Sequence, residues 1–294
     1  MNNNSDNKAQ RKPFVHYLNR LLATCSLKCL LQLGRACGFI VARTPNQISR
    51  MSRTNIQRCF SERPAQQCRQ LVAQSVVHTC CAFTELAALW HHPLGDILAR
   101  VDIDYLDPAF SSAAGARIVI APHHGSWEML NLWLAQQGDY HAVYKPARSQ
   151  PLDHYIRHSR ERNGATLDPT NTAGMRNLVR ALGSGATCML LPDQRPPRKS
   201  AHVTSSFFGQ PARTSLLVKK LAARSGADLF IAVMTRDLES ARYRLRLESI
   251  DPKPLLASDD ASAAYLNRCI EGIVSHDLGQ YQWSYRRFIG DTYR

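Results

Sequence analysis

The sequence lacks the short motifs that mark several large enzyme classes. It has no GxGxxG segment and no Walker loop, so the usual dinucleotide and nucleotide sites are not indicated. It has no GxSxG either, which argues against a serine hydrolase with a nucleophile elbow. HExxH is absent, and the pairs His91–His92 and His123–His124 have no further ligands at metal spacing. We therefore expect neither a bound metal nor a bound cofactor.

The cysteines do not form the pattern of a disulfide framework. The nine cysteines are odd in number, are scattered along the 294 residues, and include no CxxC pair. Cys80 and Cys81 are adjacent, and Cys25 and Cys29 lie one helical turn apart. This usage favours reduced, mostly buried thiols in a protein that faces the cytoplasm.

Acidic residues are scarce relative to basic ones. The chain has 23 Asp and Glu against 37 Lys and Arg, which gives a formal net charge of +14. Such a field attracts polyanions, which include nucleic acid, anionic lipid headgroups and acidic carrier proteins. Nucleic acid is disfavoured, because the sequence has no zinc-finger spacing, no RNP-like aromatic motif and no recognition-helix signature.

The N-terminal region contains no long hydrophobic run free of charge. Residues 1–12 are polar and are predicted to be a disordered tail. Phe14–Ala42 is apolar, but three cations interrupt it, so no stretch approaches the roughly 20 residues of a membrane-spanning helix. We predict that residues 13–43 form a basic amphipathic helix on a membrane surface. The alternative is a helix packed on the protein's own core. The cations, which share one helical face, are Arg20, Lys28 and Arg35.

Residues 44–294 are predicted to be a single α/β domain with a mixed sheet. There is no Gly/Ser/Pro-rich linker and no internal repeat, and short apolar strands alternate with helical segments. One segment alternates with period two after a turn at residues 239–240, which predicts an antiparallel strand. The predicted elements used below are the strands Arg117–Ala121, Ala142–Tyr144, Thr187–Leu191, Leu229–Thr235 and Tyr243–Glu248, and the helix Thr214–Ser225.

The most informative stretch is an apolar strand that ends in HHGSWE. Pro122 stops the strand, and Ser126 can cap a helix that runs through Leu134. His123 then lies at the carboxyl end of a strand, and Glu128 lies in the first turn of the next helix. In α/β sheets this edge is where ligands bind.

A histidine beside a carboxylate at that edge can act as a general base. We expect Glu128 to hold one ring nitrogen of His123 and fix its tautomer, while the other nitrogen accepts a proton from an attacking hydroxyl. The alternative is a His and a Glu that merely cap and solvate the start of a helix. An isolated H-x4-E pattern does not decide between them, because so short a pattern often occurs by chance.

Three further charged residues are candidates for contacts with substrate. Asp193 follows a buried strand at the same sheet edge and would lie near His123 if their strands are neighbours. It would either position a substrate group or pair with a neighbouring arginine. Arg160 and Arg162 are two residues apart on a predicted helix, so they point in different directions. Both remain open between substrate binding and a solvated surface.

The motif belongs to a series of fragments that run in order along most of the chain. HHGSWE resembles the H-x4-D/E motif of lysophospholipid-type acyltransferases. More closely, it is similar to the H-x-G-N-W-E of the bacterial lipid A biosynthesis (lauroyl/myristoyl) acyltransferases. Further fragments resemble the same family, and together they make a strong case for membership. They are Asn55–Glu62, Tyr144–Pro146 with Pro151–Asp153, Arg160, Leu191–Gln194, Phe207–Ala212 and Gln282–Phe288.

The resemblance implies a specific reaction and location. A fatty acyl chain would pass from an acyl carrier protein thioester to a hydroxyl of a lipid A precursor, on the cytoplasmic face of the inner membrane. The enzyme would be peripheral or monotopic, with acyl carrier protein and anionic membrane lipid as partners. His123 would be the base, Glu128 its orienter and Arg160 an anion contact. The alternatives are another acceptor, such as a lysophospholipid or other glycolipid hydroxyl, or a non-catalytic binder of anionic lipid or nucleic acid.

Two further expectations concern the acyl group. The thioester oxyanion would need hydrogen-bond donors from the helix start at residues 125–127 or from a cation. Phe207 and Phe208 would border an apolar acyl tunnel, where each buried methylene contributes about 0.8 kcal/mol.

Overall fold

The computed structural model describes residues 14–290 and Tyr293, and a seven-stranded mixed sheet forms its centre. The order of strands in the sheet is β1-β9-β8-β2-β5-β3-β4, and β6 and β7 form a separate hairpin. The predicted α/β fold with a mixed sheet is confirmed. The strands are β1 (Val101–Leu106), β2 (Arg117–Ile120), β3 (Tyr140–Tyr144), β4 (Ala165–Pro169), β5 (Thr187–Leu190), β6 (His202–Phe207), β7 (Gln210–Ser215), β8 (Asp228–Asp237) and β9 (Arg242–Ser249).

Helices cover both faces of the sheet and form the N-terminal quarter of the chain. The helices of the described residues are α1 (Phe14–Leu22), α2 (Leu27–Arg43), α3 (Gln47–Cys59), α4 (Ala65–Thr84), α5 (Leu86–His91), α6 (Leu94–Leu98), α7 (Pro108–Ser112), α8 (Trp127–Leu134), α9 (Gln150–Glu161), α10 (Thr172–Gly183), α11 (Leu217–Ser225), α12 (Pro252–Leu256) and α13 (Asp259–Ser275). A short 3₁₀ turn follows at Leu278–Gln280.

The central strand β2 determines where the site lies. It pairs in parallel with β5 on one side and with β8 on the other, so both of its edges are hydrogen-bonded, and its residues after Arg117 are apolar and buried. Ile120 of β2 lies opposite Leu190 of β5. His123 and Asp193 each follow three residues later, so the chain leaves the sheet at the same height before both side chains.

The antiparallel part of the sheet also agrees with the sequence. β8 and β9 pair antiparallel on either side of a turn at residues 238–241, as the alternation of Tyr243–Glu248 predicted. The edge strand β1 then pairs in parallel with β9.

The N-terminal segment differs from the prediction of one helix over residues 13–43. The structure has two helices, α1 and α2, which meet at an angle of 117°. The break follows from a turn at residues 23–25 and from Ser26, whose side chain accepts a hydrogen bond from the amide of Cys29 and so begins a new helix. The predicted tail, residues 1–12, lies outside the described residues.

Helix α2 packs on the core through one face and exposes the other. A Cβ at Gly34 or Gly38 would lie within 2.7 Å of the backbone of α4, so these glycines allow the two helices to approach closely. Leu27, Leu30 and Leu31 of α2 are buried in the same cluster as residues of the sheet. Core packing, the alternative named for this segment, is therefore confirmed for this face. The exposed face carries Leu33, Phe39 and Ile40.

Two helical stretches have the length and composition of a membrane span. One is the continuous run Ala65–His91, and the other is α1 with α2, if their bend is disregarded. Half of the apolar window in Ala65–His91 is buried within the protein, so packing against the core already explains its hydrophobicity.

The sequence did not predict four of the strands. β1 and β4 lie at the two edges of the sheet, where each pairs with only one other strand. The predicted helix Thr214–Ser225 begins only at Leu217, because Gln210–Ser215 forms β7 instead. The β6–β7 hairpin turns at Phe208 and Gly209, whose φ angles of 46° and 74° are those of a tight hairpin turn.

Candidate active site

A cleft of about 470 Å³ opens at the carboxyl ends of β2, β3 and β5. This is the sheet edge at which the sequence placed the candidate residues. Within the part of the chain that the structure describes, no three His, Cys, Asp or Glu side chains are placed to hold a metal ion. The polar groups that line the cleft include His123, Glu128, Lys145, Arg160 and Arg195, and its apolar walls include Leu167, Met189, Leu190, Leu191 and Val218.

His123 and Asp193 form a hydrogen-bonded pair at this cleft. Nδ1 of His123 lies 2.8 Å from Oδ1 of Asp193, and the backbone amide of His123 donates to Oδ2 at 2.9 Å. One carboxylate therefore holds both the ring and the peptide of the histidine. The second ring nitrogen, Nε2, is left for a substrate.

The electrostatics of the pair fix the direction of proton transfer. Asp193 is buried, which alone would raise the pKa of its carboxyl, but the His123 ring and its hydrogen bonds together with the charge of Arg287 lower that pKa below its ordinary value. An ionised Asp193 accepts the hydrogen of Nδ1, so Nε2 of a neutral His123 is the unprotonated nitrogen. This is the tautomer that a general base needs.

Glu128 lies in the first turn of α8, as predicted, but it does not hold the histidine ring. Nε of Arg160 donates to Oε2 of Glu128 at 3.0 Å, and Nη2 donates to Oε1. Trp90 lies 3.4 Å from the same carboxylate. The expected contact between Glu128 and His123 was wrong, because the neighbouring strand β5 brings Asp193 closer to Nδ1.

The pair of Glu128 and Arg160 forms a second charged element of the cleft. Burial alone would lower the pKa of Arg160, but the adjacent Glu128 outweighs it and raises that pKa above its ordinary value. Both side chains line the cleft. Arg160 is therefore a permanent cation on the cleft wall, and two nitrogens of its guanidinium already donate hydrogen bonds to Glu128.

Arg162 does not lie at the cleft. Its Nη2 donates to the carbonyl oxygens of Leu89 at 3.0 Å and His92 at 2.8 Å, which ties the end of α9 to the end of α5. The predicted divergence of Arg160 and Arg162 is thus observed. Nη2 of Arg162 is therefore used within the protein, and substrate binding by this residue stays a prediction.

The turn that carries His123 is held on its inner side by two other segments. Gly125 has a φ of 57°, and a Cβ there would lie 2.1 Å from the carbonyl oxygen of Met234. Its amide donates to Gln280 at 3.0 Å, and the amide of Ser126 donates to Met234 at 2.6 Å. Two amides that were expected to be available to an oxyanion are therefore already occupied.

A buried ion pair lies directly behind this turn. Oε2 and Oε1 of Glu85 accept hydrogen bonds from Nε and Nη2 of Arg236, both at 2.6 Å. Glu85 also accepts from Ser126 at 2.6 Å and from Tyr243 at 3.1 Å. Sequence analysis missed this pair. The available signal was a single acidic residue within the apolar run from residue 64 to 91.

The two phenylalanines expected to border an acyl tunnel do not line the cleft. Phe207 is fully buried and packs on Tyr281 and Phe288. Phe208 packs edge-on against Phe60 and lies 5.3 Å from the Trp283 ring. The FFG segment therefore belongs to the hydrophobic core that also contains residues of the central strand β2, and it does not form a wall of the cleft.

Two histidines behind the site, the buried His124 and the half-buried His78, make stability depend on pH. Burial lowers the pKa of His124 to about 4 and that of His78 to about 3. Between pH 6.5 and about 4 the unfolded chain binds more protons at these residues than the folded chain does. Stability should therefore fall as the pH drops through this window, on the order of 1.4 kcal/mol per pH unit for each histidine.

Urea unfolding at several pH values between 7 and 5 measures this slope. We expect His124→Gln to make it shallower and His154→Gln, at an exposed position, to leave it unchanged. A wild-type midpoint that stays constant over this range would contradict the prediction.

Comparison with known proteins supplies what the geometry leaves open. The sequence profile of the bacterial lipid A biosynthesis acyltransferases matches residues 14–289. The lipid A biosynthesis palmitoleoyltransferase of Escherichia coli is 24% identical over 258 residues, which are 87% of this chain and 83% of that protein. The lauroyltransferase of the same organism is 24% identical over 262 residues, 88% and 85% of the two chains. A phosphatidylinositol mannoside acyltransferase of Mycolicibacterium smegmatis is 30% identical over 186 residues, 60% of each.

The family match spans nearly all of the described residues, including the strand β2, the His123 turn and the cleft. The chain belongs to the bacterial lipid A biosynthesis acyltransferase family and is an acyltransferase.

Proposed function

We propose that the protein transfers a fatty acyl chain from an acyl carrier protein thioester to a hydroxyl of a lipid A precursor, with His123 as general base. The observation that carries this proposal is the pair of His123, which lines the cleft, and the buried Asp193 behind it. The family and the two Escherichia coli relatives support the class of reaction and the lipid acceptor.

The chemistry follows from the free nitrogen of the pair. Nε2 of His123 takes the proton of the acceptor hydroxyl while the hydroxyl oxygen attacks the thioester carbonyl carbon. The new C–O bond gives a tetrahedral oxyanion, which collapses with cleavage of the C–S bond. His123 then returns the proton to the departing thiolate sulfur. Asp193 stabilises the imidazolium between the two transfers, and no covalent acyl-enzyme is required.

The charge of the cleft supports anionic substrates. Lys145 and Arg195 line it, and Arg198 and Lys199 follow on the same loop as Arg195. None of these four makes an ion pair or side-chain hydrogen bond within the described residues. We propose that these cations and Arg160 contact phosphate groups of the donor or the acceptor.

We propose that the N-terminal helices attach the protein to the cytoplasmic face of the inner membrane. On α1, Phe14, Tyr17 and Leu21 are exposed by 78%, 59% and 68%. Such side chains beside cations favour insertion into the headgroup layer of an anionic bilayer.

A donor assay tests the proposal. Acyl carrier protein thioesters and acyl coenzyme A are compared at increasing salt, with a bisphosphorylated lipid A precursor as acceptor and mass spectrometry of the product. We expect the carrier thioester to be the better donor at low salt, because the larger acidic surface gains more from a basic enzyme. The gap should narrow as salt screens beyond a Debye length of about 8–10 Å. Equal use of both donors at every salt concentration would contradict the assignment of acyl carrier protein as the donor, but it would leave the proposed acyl transfer intact.

A second acceptor is favoured by one observation. The match to the phosphatidylinositol mannoside acyltransferase makes another glycolipid hydroxyl the alternative. Mass spectrometry of total lipids with and without the protein distinguishes the two, since the added acyl chain is found either on lipid A or on another glycolipid.

A further inference from the structure

We propose that a second cleft, distinct from the catalytic one, binds the phosphate of an anionic phospholipid headgroup at the bilayer surface. This arginine cleft lies where α2, α3 and α4 meet and has a volume of about 300 Å³. It shares no lining residue with the catalytic cleft. It is lined by Ala42, Arg43, Arg53, Gln57, Cys68, Arg69, Val72 and Ala73.

Each of the three helices contributes one guanidinium group to the arginine cleft. Arg43 comes from the last turn of α2, Arg53 from α3 and Arg69 from the first turns of α4. No carboxylate is among the lining residues. Within the described residues, Arg53 and Arg69 have no hydrogen bond or ion pair. Their forked donors are therefore available, and a phosphate is the ligand that such forks fit best.

The surrounding charge is of one sign. Residues 7–84 contain 12 Lys and Arg against a single acid, Glu62, so they supply most of the net charge of +14. The three helices around the arginine cleft, α2, α3 and α4, carry seven of these Lys and Arg and no acidic residue. A patch of this charge is attracted to the anionic lipid headgroups of a membrane surface.

Exposed apolar side chains beside the cleft indicate a lipid rather than a soluble polyanion. The guanidinium of Arg43 lies 3.3 Å from the centre of the Phe39 ring, and its Nη1 donates to the carbonyl oxygen of Phe39. Phe39 and its neighbour Ile40 are exposed by 55% and 61%. Apolar tips next to cations match the boundary between acyl chains and headgroup phosphates. Nucleic acid would use the charge but not these side chains.

Flotation of the full-length protein with vesicles tests the proposal. Phosphatidylcholine vesicles with and without phosphatidylglycerol are compared for wild type, Arg53→Gln/Arg69→Gln and Arg53→Lys/Arg69→Lys. We expect the Gln variant to lose about tenfold or more of its phosphatidylglycerol-dependent binding. The Lys variant keeps the charge but loses the fork, and we expect it to lose several-fold.

A matched control removes the same charge elsewhere. Arg176 and Arg224 are also exposed, on α10 and α11, and the Gln variant of both should bind nearly as wild type does. Unchanged binding by the Lys variant would overturn the proposal, because only diffuse charge would then matter. Equal loss by cleft and control variants, or a preference of the arginine cleft for duplex DNA, would overturn it as well.

Two further measurements keep the result separate from the proposed acyl transfer. The cleft variants should keep the wild-type melting temperature, since the substituted side chains are exposed. They should also keep wild-type turnover on substrates dispersed in detergent, where no bilayer is present.

Discussion

Replacing His123 with alanine is expected to lower the rate of acyl transfer by roughly 10³-fold, because the variant lacks the Nε2 atom that takes the hydroxyl proton in the proposed reaction. His123→Asn is the matched variant. Its side-chain amide can still donate to Asp193 where Nδ1 does, but it has no basic nitrogen for the substrate. Both variants should lose activity in the donor assay while the asparagine variant keeps its melting temperature. Full activity in either would remove His123 from the mechanism.

The partner of the histidine is tested by the same kinetics. Asp193→Asn should lower kcat far more than Glu128→Gln does, because only Asp193 contacts the ring. An amide at position 193 no longer balances the imidazolium charge and favours the wrong tautomer. Glu128→Gln should act mainly on KM, since it weakens the hold on Arg160. If the Glu128 variant loses more kcat than the Asp193 variant, Glu128 is the catalytic carboxylate after all.

The largest expected effect on stability is at Glu85. Glu85→Ala leaves Arg236 buried without its carboxylate, and both side chains are only 1% exposed. Removing one partner of a buried pair costs about 3–5 kcal/mol. This is a large part of the roughly 5–15 kcal/mol that stabilises a domain. Urea unfolding measures the loss.

Asp102 and Arg242 provide the control. They form the same two-pronged contact, at 2.6 Å and 2.6 Å, but their side chains are 48% and 40% exposed. Asp102→Ala should therefore have a much smaller effect on the free energy of unfolding. The double variant Glu85→Met/Arg236→Met should recover part of the loss, because it removes both buried charges. Equal effects of Glu85→Ala and Asp102→Ala would contradict the role of burial.

The sequence predicted those features of the site that depend on residues close together in the chain. The strand that ends at Pro122, the cap at Ser126 and the strand before Asp193 all follow from short-range patterns. The matching heights of His123 and Asp193 depend on the pairing of β2 with β5, which the sequence allowed but did not specify. Which carboxylate holds the ring is decided by that pairing.

Other features depend on contacts that no local pattern reveals. Glu128 is drawn to Arg160, which lies on a different helix. The bend between α1 and α2 is set by the serine cap at residue 26 and by close packing of Gly34 on α4. The strand β4 ends in Asp168 and Pro169, residue types that are rare in strands. Burial of Asp168 with His141 compensates for this composition.

The inner side of the His123 turn has a consequence for the order in which the protein matures. The amide of Gly125 ends on Gln280, and the carbonyl oxygen of His123 accepts from Gln282, near the other end of the described chain. During synthesis His123 and Asp193 leave the ribosome long before these glutamines do. A nascent chain that stops short of Asp277 holds both members of the pair, but the loop between them and the helix α8 has lost two of its anchors. Competence for the reaction therefore arrives only after Gln282 has been synthesised, and released fragments that stop short of it should be inactive.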